Sequence, residues 1–105
     1  MAKKPPEPVP PLVLEMMPQF ARDLRRLAKL KGDDIAKVHA VVDSLQHHRP
    51  LPKSHRPHAL SGRWAGYLEC HVGGAKDWLL VYVITPGNPG KLSLIRSGTH
   101  DEIFK

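Results

Sequence analysis

Seven histidines in a chain of 105 residues pose the first chemical question, because an imidazole with a pKa of about 6.5 is the side chain best suited to moving protons at neutral pH. Four of them, His47, His48, His55 and His58, crowd into one stretch. Zinc sites need His or Cys pairs held on a helical turn or a tight knuckle, with oriented partners behind them. Pro50, Pro52 and Pro57 deny this stretch any regular scaffold, so no intrinsic metal site is expected. A different set is better placed. If a turn over Gly73 to Lys76 closes a hairpin, His71 lies roughly opposite Trp78, and Asp77 sits at the same end of the sheet. His100 follows the last strand after Gly98 and Thr99, and His58 approaches from the preceding loop. Three imidazoles and a carboxylate meet the needs of metal-free RNA cleavage: a base for the ribose 2′-hydroxyl, an acid for the 5′-oxygen, and positive charge for the phosphate. Spacing alone leaves a plainer alternative open, exposed histidines at hairpin ends.

The elements that must carry these residues follow from periodicity. Leu12 to Met16 reads as a short first strand, stopped by Pro18, which can itself open a helix. Phe20, Leu24, Leu27 and Ala28 then share one helical face, and Arg22, Arg25, Arg26 and Lys29 share the other. That basic stripe is either a solvated outer face or a contact for phosphates. Gly32 ends the helix, Asp33 or Asp34 caps the next, and Ile35, Val38, Val42 and Leu45 recur at helical spacing, with His39 flanking the stripe. After Trp64 the period changes to two, with Tyr67, Glu69 and His71 alternating against Leu68, Cys70 and Val72. Trp78 to Ile84 is continuously apolar, as expected of a central strand covered on both faces. Pro86 to Gly90 turns the chain into Leu92 to Arg96, and a short segment from Asp101 to Phe104 ends it. The expected class is α+β, in the order βααβββ, with two helices on a small, mainly antiparallel, four-stranded sheet.

A chain of this length suits a single domain over residues 12–105, preceded by a Pro-rich extended tail over 1–11. Composition, at 41% hydrophobic and 25% charged, is that of an ordinary globular chain, and the longest apolar run is too short to span a bilayer. No membrane association or secretory leader is expected, and a cytoplasmic location follows by default. One cysteine, Cys70, leaves no internal disulfide. The charge of +6 comes entirely from residues 1–66, where twelve Lys or Arg face six acids. Such asymmetry suits a polyanionic partner.

Four blocks then point to a family. They are Pro57-His58-Ala59-Leu60-Ser61-Gly62-Arg63-Trp64-Ala65-Gly66-Tyr67, Glu69-Cys70-His71-Val72, Asp77-Trp78-Leu79-Leu80-Val81-Tyr82, and Arg96-Ser97-Gly98-Thr99-His100-Asp101-Glu102-Ile103-Phe104. In this order they resemble the YafQ-like toxins of bacterial type II toxin–antitoxin systems, within the RelE superfamily. The resemblance implies a RelE-like fold and an endoribonuclease that cuts mRNA, usually on the ribosome, and is silenced by a cognate antitoxin. It further implies that operator DNA is met only through the antitoxin complex and that no metal or organic cofactor is required. By the same resemblance His58, His71, Asp77, Trp78, His100 and Phe104 line the active site.

Roles follow as expectations. Asp77 and His71 fall on the base side, His100 protonates the leaving group or touches phosphate, and His58 positions the phosphate. Trp78 either stacks a base or fills the core; Phe104 covers the site or seals the core. Arg63 and Arg96 contact phosphate or stand at solvated edges, and Arg22, Arg25, Arg26 and Lys29 are candidate contacts to ribosomal RNA. Ala59 stands where relatives usually carry proline, Leu68 where arginine is common, and the Gly73 to Lys76 loop is longer than in relatives. Two other readings compete: a ParE-like toxin that cleaves no RNA, and a degenerate toxin acting only as an antitoxin- and operator-binding module.

Overall fold

The computed structural model describes residues 9–73 and 77–104, apart from the side chains of Lys31 and Asp33. Residues 1–8 of the expected tail, and Gly74, Ala75 and Lys76 of the expected turn, lie outside the described residues. The chain runs β1 (Val13–Met16), α1 (Pro18–Lys31), α2 (Ile35–Gln46), β2 (His58–Ala59), β3 (Leu68–His71), β4 (Leu79–Thr85), β5 (Lys91–Gly98) and α3 (His100–Phe104), with short 3-10 turns at Gly32–Asp34, Lys53–His55 and Gly62–Trp64.

The strands form one sheet in the order β1-β5-β4-β3-β2. Only the β1–β5 pair is parallel, because α1 and α2 carry the chain across the sheet between the first strand and the hairpins. β4 is central, as its apolar run predicts. The expected four strands become five: His58 and Ala59 pair with Glu69 and Leu68, a two-residue edge strand too brief to announce itself by alternation. Between β4 and β5 the register slips by one, so that Val81 faces Arg96 while Tyr82 faces Leu94, and Ile95 is the extra residue of a bulge.

Side-chain parity divides the interior in two. Trp78, Leu80 and Tyr82 join Cys70, Val72, Leu92 and Leu94 under α1 and α2, against Phe20, Leu27, Val38 and Val41. Leu79 and Val81 point the other way, into a smaller cluster with Ile103, edged by Leu60, Trp64, Tyr67, Ile95 and Phe104. Coverage on both faces therefore holds for Leu79 to Tyr82, while Ile84 is 41% exposed. Burying each large apolar side chain contributes roughly 1.5–3 kcal/mol, so the helix side supplies most of the cohesion.

Local expectations mostly hold in the helices. Pro18 sits in the first turn of α1, and Gly32 ends it at φ +52° with its N–H on the Ala28 carbonyl. Asp34 does not cap α2. The 3-10 turn leads straight into the helix, leaving Asp34 in helical geometry without the extended backbone a capping side chain needs, and its carboxylate pairs with Lys37 at 3.3 Å instead. The apolar face of α1 also holds a fully buried acid, Asp23.

Candidate active site

The site assembles where β2, the Gly62–Trp64 turn and α3 meet the open face of the sheet. His58, Leu60, Ser61, Trp64, Glu69, His100 and Phe104 line an open groove of about 280 Å3. Its two histidines are each paired with a carboxylate.

His58 owes its place to a turn that its sequence disguises. Arg56 adopts a left-handed conformation at φ +45°, with no glycine to signal it, and its carbonyl lies 2.7 Å from His58 Nδ1. That carbonyl only accepts, so Nδ1 carries the proton, and Nε2 is left 3.4 Å from Glu69 Oε1. Glu69 is the cross-strand partner of His58 and is only 3% exposed. Its other oxygen, Oε2, is buried without a hydrogen-bond donor among the described residues. A carboxylate so placed stabilises a cation beside it strongly, since water does not compete.

The second pair is built at chain ends. His100 opens α3 directly after β5, and its Nδ1 lies 2.6 Å from Asp77 Oδ1, which also accepts the His100 backbone N–H at 3.2 Å. Both side chains are more than half exposed. The hydrogen bond from the His100 ring, its backbone N–H, and the nearby charges of His100 and His71 hold the Asp77 carboxyl below the usual range, outweighing slight desolvation. With Nδ1 committed to Asp77, Nε2 is the His100 nitrogen left for a substrate.

His71 ends β3 opposite Leu79, one residue from the expected register, on the same strand face as Glu69. Its carbonyl accepts His55 Nδ1–H at 2.7 Å, and its ring is half-buried close enough to act on Asp77. Asp77 bonds His100 rather than His71, since the His100 backbone N–H and ring converge on the same carboxylate oxygen.

Trp78 is not positioned to stack on a base. Parity turns it under the helices, where it is 1% exposed and its Nε1 donates to Ser97 Oγ at 3.1 Å. The aromatic that does line the groove is Trp64, which sequence reasoning passed over; its signal was an indole flanked by Gly62 and Gly66 just ahead of the Glu69 strand. Phe104, expected either to cover the site or to seal the core, lies edge-on to Trp64 at 5.1 Å and tilted against His100 at 5.9 Å while packing on the smaller cluster. Glu69 was legible too, since its alternation with His71 puts both on one face.

The arginines divide. Arg96 is withdrawn from phosphate by a two-toothed ion pair with buried Asp23, at 2.8 and 3.3 Å. Arg26 leaves the basic stripe to bind Asp23 and Glu102, both at 3.2 Å. Arg22 bonds Gln19 at 2.9 Å, and Arg25 and Lys29 are exposed, as is Arg63 on its turn. Cys70, fully buried, has its thiol pushed up to about 12 by desolvation and by the Glu69 charge, and is no nucleophile. Among the described residues no group of three or more His, Cys, Asp or Glu is arranged to hold a metal ion, and no helix is long and apolar enough to cross a membrane.

Residues 12–105 match the family described as the bacterial toxin of type II toxin–antitoxin systems, YafQ. The mRNA interferase toxin YafQ of Escherichia coli is 33% identical over 92 residues, covering 87% of this chain and 94% of the relative. Among solved structures, a metal-bound toxin from Helicobacter pylori superposes with a TM-score of 0.78 at 35% identity, covering 89% of this chain and 99% of that one. A chain of the E. coli DinJ–YafQ toxin–antitoxin complex superposes with a TM-score of 0.74 at 32% identity, covering 90% and 98%.

Proposed function

The chain belongs to the YafQ family of bacterial type II toxin–antitoxin toxins, and from that membership we propose that it is an endoribonuclease that cleaves cytoplasmic mRNA on the ribosome, without a metal, through the ribose 2′-hydroxyl. The observation that carries this reading is the pair of imidazoles, each backed by a carboxylate, facing one groove. His58 Nε2, unprotonated while Nδ1–H donates to the Arg56 carbonyl, takes the 2′-hydroxyl proton at the edge it shares with Glu69, whose carboxylate then faces the new N–H. The 2′-oxygen bonds to phosphorus, the bond from phosphorus to the 5′-oxygen breaks, and His100 returns a proton to that oxygen. Asp77 orients the His100 ring for that transfer. His71 and Arg63 supply positive charge for the phosphate, and Trp64 stacks a neighbouring base. Products are a 2′,3′-cyclic phosphate and a 5′-hydroxyl.

A cognate antitoxin silences the protein, as the E. coli DinJ–YafQ complex suggests for a relative, and operator DNA is reached only through that complex. An acidic or amphipathic antitoxin segment complements the basic N-terminal part. The test is controlled expression of the wild type and of His100→Ala, with RNA ends mapped on translating ribosomes in the presence and absence of a chelator. Cyclic phosphate ends, insensitive to chelator and lost in the variant, are expected. Water-derived ends or a chelator requirement would overturn the mechanism, and growth arrest without RNA cleavage would leave the ParE-like reading.

A further inference from the structure

His100 is exposed, on a helix of five residues, so packing alone does not set its position. Asp77 holds the ring from one side. On the other side the corner between β5 and α3 is bound to α1 by charged groups. Asp23, fully buried, accepts Arg96 Nε at 2.8 Å, the Ser97 N–H at 3.1 Å, Gln19 Nε2 at 3.1 Å and Arg26 Nη1 at 3.2 Å. From this anchor Arg26 extends Nη2 to Glu102 Oε2 at 3.2 Å, and Arg96 extends Nη2 to the Glu102 carbonyl at 3.3 Å. Glu102 uses its remaining oxygen on α3 itself: Oε1 accepts the Thr99 N–H at 2.8 Å while Thr99 Oγ1 accepts the Glu102 N–H at 3.2 Å. That reciprocal pair is a capping box, and the residues it encloses are His100 and Asp101.

Gly98 shows how closely the parts fit. At φ +152° it occupies a conformation that L side chains rarely adopt, and a Cβ there would stand 2.8 Å from Glu102 Oε1 and 3.0 Å from Arg26 Nη2. The strand can thus end against the ion pair only because position 98 is bare.

We propose that Glu102 and Arg26 are positioning residues for the catalytic step, an ion pair between α3 and α1 that fixes the corner so that the His100 ring meets Asp77 and the groove. Neither touches the reacting atoms. The kinetic part of the proposal rests on the endoribonuclease reading above; the geometric part stands without it. A half-exposed pair of this kind adds little to stability, so its presence is better explained by geometry than by cohesion. A displacement of the order of 1 Å in a catalytic group can cost up to about 100-fold in rate.

The experiment is a double-mutant cycle on the full chain. Glu102→Gln keeps an oxygen for the Thr99 N–H and loses the charge that holds Arg26; Arg26→Gln loses the same pair from the other side, together with one of the four donors to Asp23. Each is expected to lower kcat roughly tenfold with KM unchanged, and the double variant is expected to fall no further. In Glu102→Gln the Thr99 amide and His100 ring resonances shift at constant pH, while Tm stays near the wild-type value. Unshifted resonances together with an unchanged kcat would overturn the proposal. So would additive losses in which Arg26→Gln raises KM, since Arg26 would then act on RNA directly. If the wild type cleaves no RNA, the functional reading fails and the resonances alone decide the brace.

Discussion

The two histidine–carboxylate pairs facing the groove contain the same chemical groups but are held by opposite means. His58 and Glu69 sit across from each other on paired strands, and the carboxylate is buried beneath the site with one oxygen lacking a donor among the described residues. His100 and Asp77 sit at the ends of their strands, largely in water, and their contact is short because a backbone N–H and a ring N–H converge on one oxygen. Burial makes the first carboxylate a strong electrostatic partner whose removal is felt in full; exposure makes the second one mainly an orienter. A proton acceptor gains from the first environment, and a donor that must reach a leaving group gains from the second.

Breaking the comparison starts with the rings. His100→Ala should lower cleavage by about 1,000-fold with little change in Tm, measured as single-turnover cleavage of a bound message; a loss under tenfold would remove His100 from the chemistry. Glu69→Gln should cost about 100-fold, more than Asp77→Asn at about tenfold. The reverse ranking would invert the roles assigned to the buried and exposed acids. Trp64→Ala should raise KM by about tenfold, whereas Trp78→Phe should lower Tm and leave KM alone. A smaller effect sharpens the second pair: followed by its carboxyl carbon, Asp77 should titrate below an ordinary aspartate and move back toward the ordinary range in His100→Ala, where the backbone N–H and the His71 charge still act on it. The sign follows from the depressed value. Its contribution is present above the unfolded-state pKa of about 3.9 and lost as pH falls through the lower folded value.

Asp23 obeys the same sign for stability. Burial raises its pKa, but hydrogen bonds from Arg96, Ser97 and Gln19 outweigh that and hold it low. Asp23→Asn should therefore destabilise at neutral pH by about 3 kcal/mol, the low end for a broken buried pair, and the deficit should shrink as pH falls below about 4. A Tm difference independent of pH would refute it.

Local pattern made much of this legible. The helical spacing of Phe20 and Leu27, the run from Trp78 to Ile84 and the alternation of Glu69 with His71 place α1, β4 and β3 correctly. What escaped depends on partners far along the chain. Nothing near Arg96 reveals that Asp23, 73 residues earlier, will claim it, and nothing near His58 reveals that the two residues after Pro57 will pair with β3. Trp78 fell between these cases, since its parity with Leu80 and Tyr82 pointed to the helix side while the resemblance placed it at the site.

The extra residue at Ile95 acts as a phase shifter. A strand repeats every two residues, so an unbroken β5 would turn Ser97 toward the groove and away from Trp78 and Asp23. Drawing that one residue into the ladder would leave composition and hydrophobicity untouched, yet everything beyond it, His100 included, would arrive half a period out of step.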